Sequence, residues 1–262
     1  MARANRHYIP NCIWHITQRC HKGEFLLKFR KDKKNWINWL YEAKKRFELD
    51  ILNFAVTSNH IHLMVIDSEI NIIPKSIQLI AGRTGRSYNL RKKRKGAFWE
   101  DRYHATAIQD GTHLLRCLIY IDMNMVRTGV VKHPEEWVFC GYNEILNPPQ
   151  RYSLINYDKL VSLCGFYDKS EFQINYKTLI DEEIKNNNLK RKSYWTESIA
   201  VGNKSFIENI NDSLGVLSNR KKIHSEDDKY MIQEDLKPYN AVFDIKKGNL
   251  ISQNSYFWDR NP

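Results

Sequence analysis

Two histidines one residue apart, His60 and His62, stand in the run Asn59-His60-Ile61-His62-Leu63-Met64-Val65. On a strand, residues two apart face the same way. The two imidazoles therefore leave one face together, while Ile61, Leu63 and Val65 enter the opposite layer. Neighbouring imidazoles are a natural pair of ligands for a divalent metal, although an isolated pair at this spacing is more often a polar patch on a solvated strand. A second candidate is the run from Leu118 to Gly129, which contains Tyr120, Asn124 and Arg127. On a helix Tyr120 and Asn124 are one turn apart, and Arg116 is one turn before Tyr120 on the same stripe. One face thus offers a guanidinium, a phenol and a carboxamide. Taken alone, Tyr120 reads better as an amphipathic core residue and Asn124 as a polar residue near a helix end.

The elements that must position these groups follow from hydrophobic periodicity. Alternation predicts a strand over Ile13–Gln18, with Trp14, Ile16 and Gln18 on one face and Ile13, His15 and Thr17 on the other. Trp36, Leu40, Ala43 and Phe47 recur at helical spacing within Asp32–Phe47. Asp50–Ser58 and His60–Ile66 read as a hairpin of two strands. Ile72–Arg94 reads as a long basic helix, His104–Gln109 as a short strand, and Leu114–Val126 as a helix with Gly129 as its stop. The first six elements give the βαββαβ order of a ferredoxin-like α+β fold, an antiparallel sheet under two helices, followed by the tyrosine-bearing helix. Pro148, Pro149 and Gln150 read as a connector. The expected organisation is a domain over 1–150 and a mostly helical C-terminal extension over 151–262. Helical patterns fall near Tyr157–Leu163, Glu171–Asn187 and Ser205–Leu214, and Tyr239–Pro262 looks irregular.

Charge separates the same two parts. The 262 residues carry 41 Lys and Arg against 30 Asp and Glu, a net +11. Through residue 150 the balance is 24 basic to 14 acidic, so nearly all the excess lies in the first part. A basic module suggests a polyanionic partner. Arg83, Arg86, Arg91, Lys92, Lys93, Arg94 and Lys95 crowd one helix and its end, and Lys28, Arg30, Lys31, Lys33 and Lys34 form a second cluster. Such runs are usually solvated faces. Gly82 and Gly85 make no phosphate-binding fingerprint, because no strand precedes them. The aromatic content of 12% excludes a disordered chain. No apolar run approaches the ~20 residues of a membrane span, and Met1–Pro10 does not read as a secretory signal. Five cysteines without a CxxC pair read as reduced thiols of a cytosolic protein. The expected location is cytoplasmic and nucleoid-associated.

The sequence NHIHLMV, then a basic helix, then FWEDRYH, then YIDMNMVRTGVV resembles the single-tyrosine HUH transposases, and among them the REP-associated tyrosine transposases. Family members read approximately NHVHLLV and YIxxNPVRAGxV at these places. The resemblance spans roughly residues 6–145. Trp195–Ile207 resembles, more loosely, the C-terminal extension of some bacterial members. Thr57-Ser58 stands where Met-Pro is frequent, Met125 replaces the usual Pro and Thr128 the usual Ala. None of these departures removes a functional group, though Met125 lifts the restriction a proline places on the preceding residue.

The resemblance implies a metal-dependent single-stranded DNA endonuclease and strand transferase acting on REP-like hairpins. His60, His62 and Asn124 would hold Mg²⁺ or Mn²⁺, and Tyr120 would attack phosphorus to leave a 5′-phosphotyrosyl link. Beside such a site the α-helical basic run 83–95 and Arg116 become candidates for phosphate contact. Phe98, Trp99 and Tyr103 could stack on bases, with core packing an equal alternative for Phe98 and Trp99. Two other functions share these motifs: a domesticated hairpin-binding protein acting by occupancy, and a replication-initiator or relaxase-type HUH nickase.

Overall fold

The structure, a computed structural model, describes residues 9–214, 221–226 and 229–234. The expected irregular segment Tyr239–Pro262 lies outside them. The chain runs β1 (Ile13–Arg19), α1 (Arg30–Phe47), β2 (Asp50–Val56), β3 (His60–Ile66), α2 (Ile72–Arg91), β4 (His104–Ile108), α3 (Thr112–Asp122) and α4 (Asn124–Arg127). It continues through α5 (Tyr142–Leu146), α6 (Tyr157–Leu163), α7 (Lys169–Lys185), α8 (Tyr194–Glu197), β5 (Ala200–Gly202), α9 (Lys204–Leu214), β6 (Lys221–Glu226) and β7 (Lys229–Glu234).

The first four strands pair antiparallel in the order β2-β3-β1-β4, which is the ferredoxin-like order. The crossovers through α1 and α2 each join parallel strands. A right-handed hand for both puts the two helices on one face, where they pack on each other. Trp36, Leu40 and Ala43 of α1 and Ile73, Ile77 and Ile80 of α2 are buried there. Ile16, Ile61, Leu63 and Val65 belong to the same core.

The opposite face carries the polar residues. The register sets Thr17 against His62, His15 against Met64 and His15 against Thr106. His15, Thr17, His62, His60 and Thr106 therefore share one face. A bulge between Ile51 and Asn53 in β2 brings Asn53 opposite Met64, onto that face too. Gly141 lies so close to Asn53 that a Cβ there would collide with the Asn53 amide oxygen. The tyrosine helix covers this face as two segments, α3 and α4, with the junction at Met123 (φ −71°, ψ −1°). Gly129, at φ +69°, ends it, a conformation that costs glycine least.

The extension adds strands as well as helices. β5 pairs parallel with β4, and β7 and β6 follow, so one seven-stranded sheet runs β2-β3-β1-β4-β5-β7-β6. The described part of the extension is thus joined to the first part through the sheet itself. α7 begins on Asp168, whose carboxylate accepts the Glu171 N–H at 2.7 Å, a cap worth about 1 kcal/mol. It then packs on α3. There the Tyr176 hydroxyl donates to Asp122 at 2.6 Å, and the Asn53 amide donates to the other Asp122 oxygen at 3.0 Å. Among the described residues no helix is long and apolar enough to cross a membrane, and the five cysteines are free and buried.

Candidate active site

The hairpin between β2 and β3 fixes His60. The Thr57 hydroxyl accepts the His60 backbone N–H at 3.0 Å and donates to the His60 carbonyl at 2.8 Å. The Asn59 side-chain oxygen lies 2.7 Å from His60 Nδ1. The Asn59 amide nitrogen is committed to the Gly23 carbonyl, so its oxygen can only accept. His60 Nδ1 therefore carries the proton, and Nε2 presents a lone pair.

His62 is fixed by a longer relay. His15 Nδ1 lies 2.7 Å from the Trp195 carbonyl, an acceptor only, so this nitrogen donates. Burial pushes the His15 imidazole down to about 3, so it is neutral and its Nε2 is a lone pair. That lone pair lies 2.9 Å from His62 Nδ1, which must then be the protonated nitrogen. His62 Nε2 is left as a lone pair facing the tyrosine helix. Outer partners that fix an imidazole in this way are the usual companions of metal-binding histidines.

Asn124, the first residue of α4, meets both rings. Its side-chain nitrogen is 3.0 Å from His62 Nε2 and 3.5 Å from His60 Nε2. Its oxygen is buried and has no hydrogen-bond partner. A half-turn of the amide exchanges the two atoms and aims three lone pairs at one point. Such an arrangement repels itself unless a cation sits between the donors. The orphaned oxygen and the two oriented Nε2 atoms therefore fit a divalent cation, and imidazole with oxygen suits Mn²⁺, or Mg²⁺ with waters. Among the described residues no three His, Cys, Asp or Glu side chains cluster in this way, because the third donor here is an amide. Burial first, and then Arg19, Arg191 and Arg127, push His60 down to about 4. Burial and the neighbouring His60 and His15 put His62 well below the usual histidine range. Both rings are thus neutral near pH 7, and the surrounding field is positive.

Tyr120 lies one turn before Asn124, 6% exposed. Its ring stands edge-on to His62 and His15, with centroids 6.0 and 6.3 Å away. The Arg127 guanidinium lies over the ring at 4.1 Å. Arg116 is exposed and lines the same cavity as Tyr120, a space of about 280 Å³ closed on its far side by the extension.

The structure thus brings His60, His62, Asn124, Tyr120 and Arg116 to one side of the sheet. The basic helix is placed differently. The body of α2, with Arg83 and Arg86, covers the other face, and Arg83 lies over the Trp39 ring. Its end returns to the sheet edge where β3 starts. Arg91 is ion-paired with Asp32, Lys92 lies over Phe29, and Arg94 bonds the Ala97 carbonyl and faces Glu24. Lys93 and Lys95 are exposed. Phe98 and Tyr103 are buried, and the Trp99 indole donates to the Ala81 carbonyl, so these aromatics serve the core.

Sequence reasoning passed over His15, Thr57 and Trp195. A histidine inside an alternating strand was the available signal for His15, and its significance depends on the register of β1 against β3.

Residues 8–124 match the family model of IS200-like transposases. The matched segment is less than half of the 262 residues. The match ends on Asn124, so all four candidate site residues fall inside the matched segment and the extension falls outside it. Among solved structures, a REP-associated tyrosine transposase bound to a REP hairpin is 19% identical, covering 56% of this chain and 87% of its own, with a TM-score of 0.46. A Deinococcus radiodurans protein described as a transposase is 14% identical, covering 39% of this chain and 83% of its own, with a TM-score of 0.31. No curated protein matches the chain.

Proposed function

We propose that this protein is a transposase, a metal-dependent single-stranded DNA endonuclease and strand transferase that works through Tyr120, with REP-like hairpins as its substrate. The observation that supports this reading best is the convergence of His60 Nε2, His62 Nε2 and the Asn124 amide one helical turn from a phenol. The hairpin preference rests on the likeness of residues 59–65 and 120–131 to the REP-associated family.

His60, His62 and Asn124 would hold the cation. When bound, Mn²⁺ or Mg²⁺ supplies Lewis-acid polarisation of the scissile phosphate. All three donors are neutral, so the protein leaves the ion's charge for the DNA phosphate to balance. The Tyr120 oxygen attacks phosphorus, the P–O3′ bond breaks, the phenol loses its proton and the departing O3′ gains one. The products are a 5′-phosphotyrosyl link and a free 3′-OH. Arg127 over the ring is placed to balance charge on the phenol oxygen as its proton leaves. One phosphodiester has replaced another, so a second 3′-OH can reverse the step, which is strand transfer.

The burial of Tyr120 beneath Arg127 favours one second reading, a hairpin-binding protein that acts by occupancy. Incubating a 5′- or 3′-labelled single-stranded hairpin oligonucleotide with the protein in Mn²⁺, Mg²⁺ or EDTA, then denaturing, separates the two. A protein-linked strand in either metal and none in EDTA is expected. Binding without an adduct in either metal leaves the occupancy reading.

A further inference from the structure

The cavity beside Tyr120 is built by two parts of the chain. The tyrosine helix supplies Arg116 and Arg127, and the segment from α7 to α8 supplies Lys190, Lys192, Tyr194 and Trp195. With Lys229 of β7, which lies over one side of the Tyr194 ring, five cations and two aromatic rings stand around the nucleophile, the elements of a single-strand nucleic-acid site: charge for the backbone, a π-face for a base. Lys190 is exposed and Lys192 and Tyr194 are half-buried, so all three are within reach of a strand entering from solvent. Glu183 is the acid lining the cavity, within electrostatic reach of Arg127, so basic side chains are in excess there. A volume of about 280 Å³ is at the lower limit of small-ligand pockets, ~300 Å³. That size takes one nucleotide and excludes a duplex.

We propose that this cavity binds one nucleotide of single-stranded DNA next to the phosphate that Tyr120 attacks, with Lys190 and Lys192 on its flanking phosphates and its base against Tyr194. The extension thereby becomes part of the DNA site, and the strand reaches Tyr120 between α3 and the 187–195 segment. The proposal rests on the reading of Tyr120 as the nucleophile for what the nucleotide adjoins, but its binding test does not require chemistry.

Short oligo(dT) labelled with fluorescein is the probe, titrated by anisotropy at several salt concentrations in EDTA. The full-length protein carries Tyr120→Phe throughout, so no adduct forms. Each phosphate contact to a single strand contributes about 0.7 to the slope of log K against log salt. Lys190→Ala with Lys192→Ala should weaken binding and flatten the slope by about 1.4. Lys132→Ala with Lys177→Ala removes the same charge from exposed positions outside the cavity and should leave the slope as it was. An unchanged slope in the cavity variant, or an equal loss in the control, overturns the proposal. Oligo(dT) carrying 5-iodouracil should, on irradiation, crosslink to the peptide containing Tyr194, and crosslinks confined to α2 overturn it as well. If the wild-type protein forms no adduct but these results hold, the Tyr120 chemistry fails and the nucleotide site stands.

Discussion

His15 Nε2 lies 2.9 Å from His62 Nδ1, and this contact decides which nitrogen of His62 faces Asn124. The chain of hydrogen bonds runs from the Trp195 carbonyl through His15 to His62, so a residue of the extension sets the protonation pattern of the site. His15→Phe keeps a ring and removes the acceptor, leaving His62 free to present either nitrogen. Loss of an outer partner of this kind typically costs 10–100-fold in metal affinity. The metal concentration giving half-maximal cleavage should rise by about that factor, with the maximal rate restored at high metal. An unshifted titration would remove His15 from the site.

His60→Ala and His62→Ala should each abolish cleavage and leave DNA binding largely intact, because the basic surfaces are untouched. Asn124→Ala should be milder, since water can replace a neutral oxygen donor, and its optimum should move to higher metal. Cleavage at the wild-type rate in either histidine variant would refute the metal assignment.

The Tyr176 hydroxyl on α7 donates to buried Asp122 on α3 at 2.6 Å. Tyr176→Phe leaves that carboxylate oxygen without its donor, a loss of about 1–3 kcal/mol. Urea unfolding should show a free energy lower by that amount and a correspondingly lower midpoint, and a midpoint within error of wild type would mean water replaces the hydroxyl without cost.

Lys33 gives a pH signature of the fold. Burial, partly offset by Asp32, lowers its ammonium to about 8, and the group donates to the Lys28 carbonyl at 2.6 Å. The unfolded chain therefore binds more protons than the folded one between pH 8 and the ordinary lysine value of 10.5. The Lys33 contribution to stability grows across that window and falls away as pH drops through 8. The stability difference between wild type and Lys33→Met should grow in favour of wild type from pH 8 to 10.5 and be flat below it. A constant difference would show that the ammonium is not perturbed.

Local pattern carried much of this molecule. Alternation located β1, apolar β-branched runs located the β2–β3 hairpin, and the two-residue spacing of His60 and His62 placed both on one face, as the register shows. The tyrosine helix was legible from Leu114 to Gly129, but its junction at Met123 was not, because both segments satisfy the same 3.6-residue period. The relay through His15 was hidden for a different reason: it joins residues 47 and 180 positions apart, and only strand register and tertiary packing bring them together. The same holds for β5 to β7. A three-residue strand such as Ala200–Gly202 has too little alternation to read, and it is defined by pairing with β4. The basic run of α2 shows the converse, a strong local signal whose position across the sheet from His62 depended on the handedness of a crossover.

The measurement closest to the central claim is the site of covalent attachment. Wild-type protein and Tyr120→Phe are incubated with single-stranded hairpin DNA and Mn²⁺, denatured, and the linked peptide is mapped by mass spectrometry. Tyr120→Phe removes one oxygen and keeps the ring beside His62 and under Arg127, so it should fold and bind as wild type does. The account predicts a phosphate on Tyr120 in the wild-type adduct and no adduct in the variant. A persistent adduct in Tyr120→Phe, or attachment at Tyr88 or Tyr103, would contradict it.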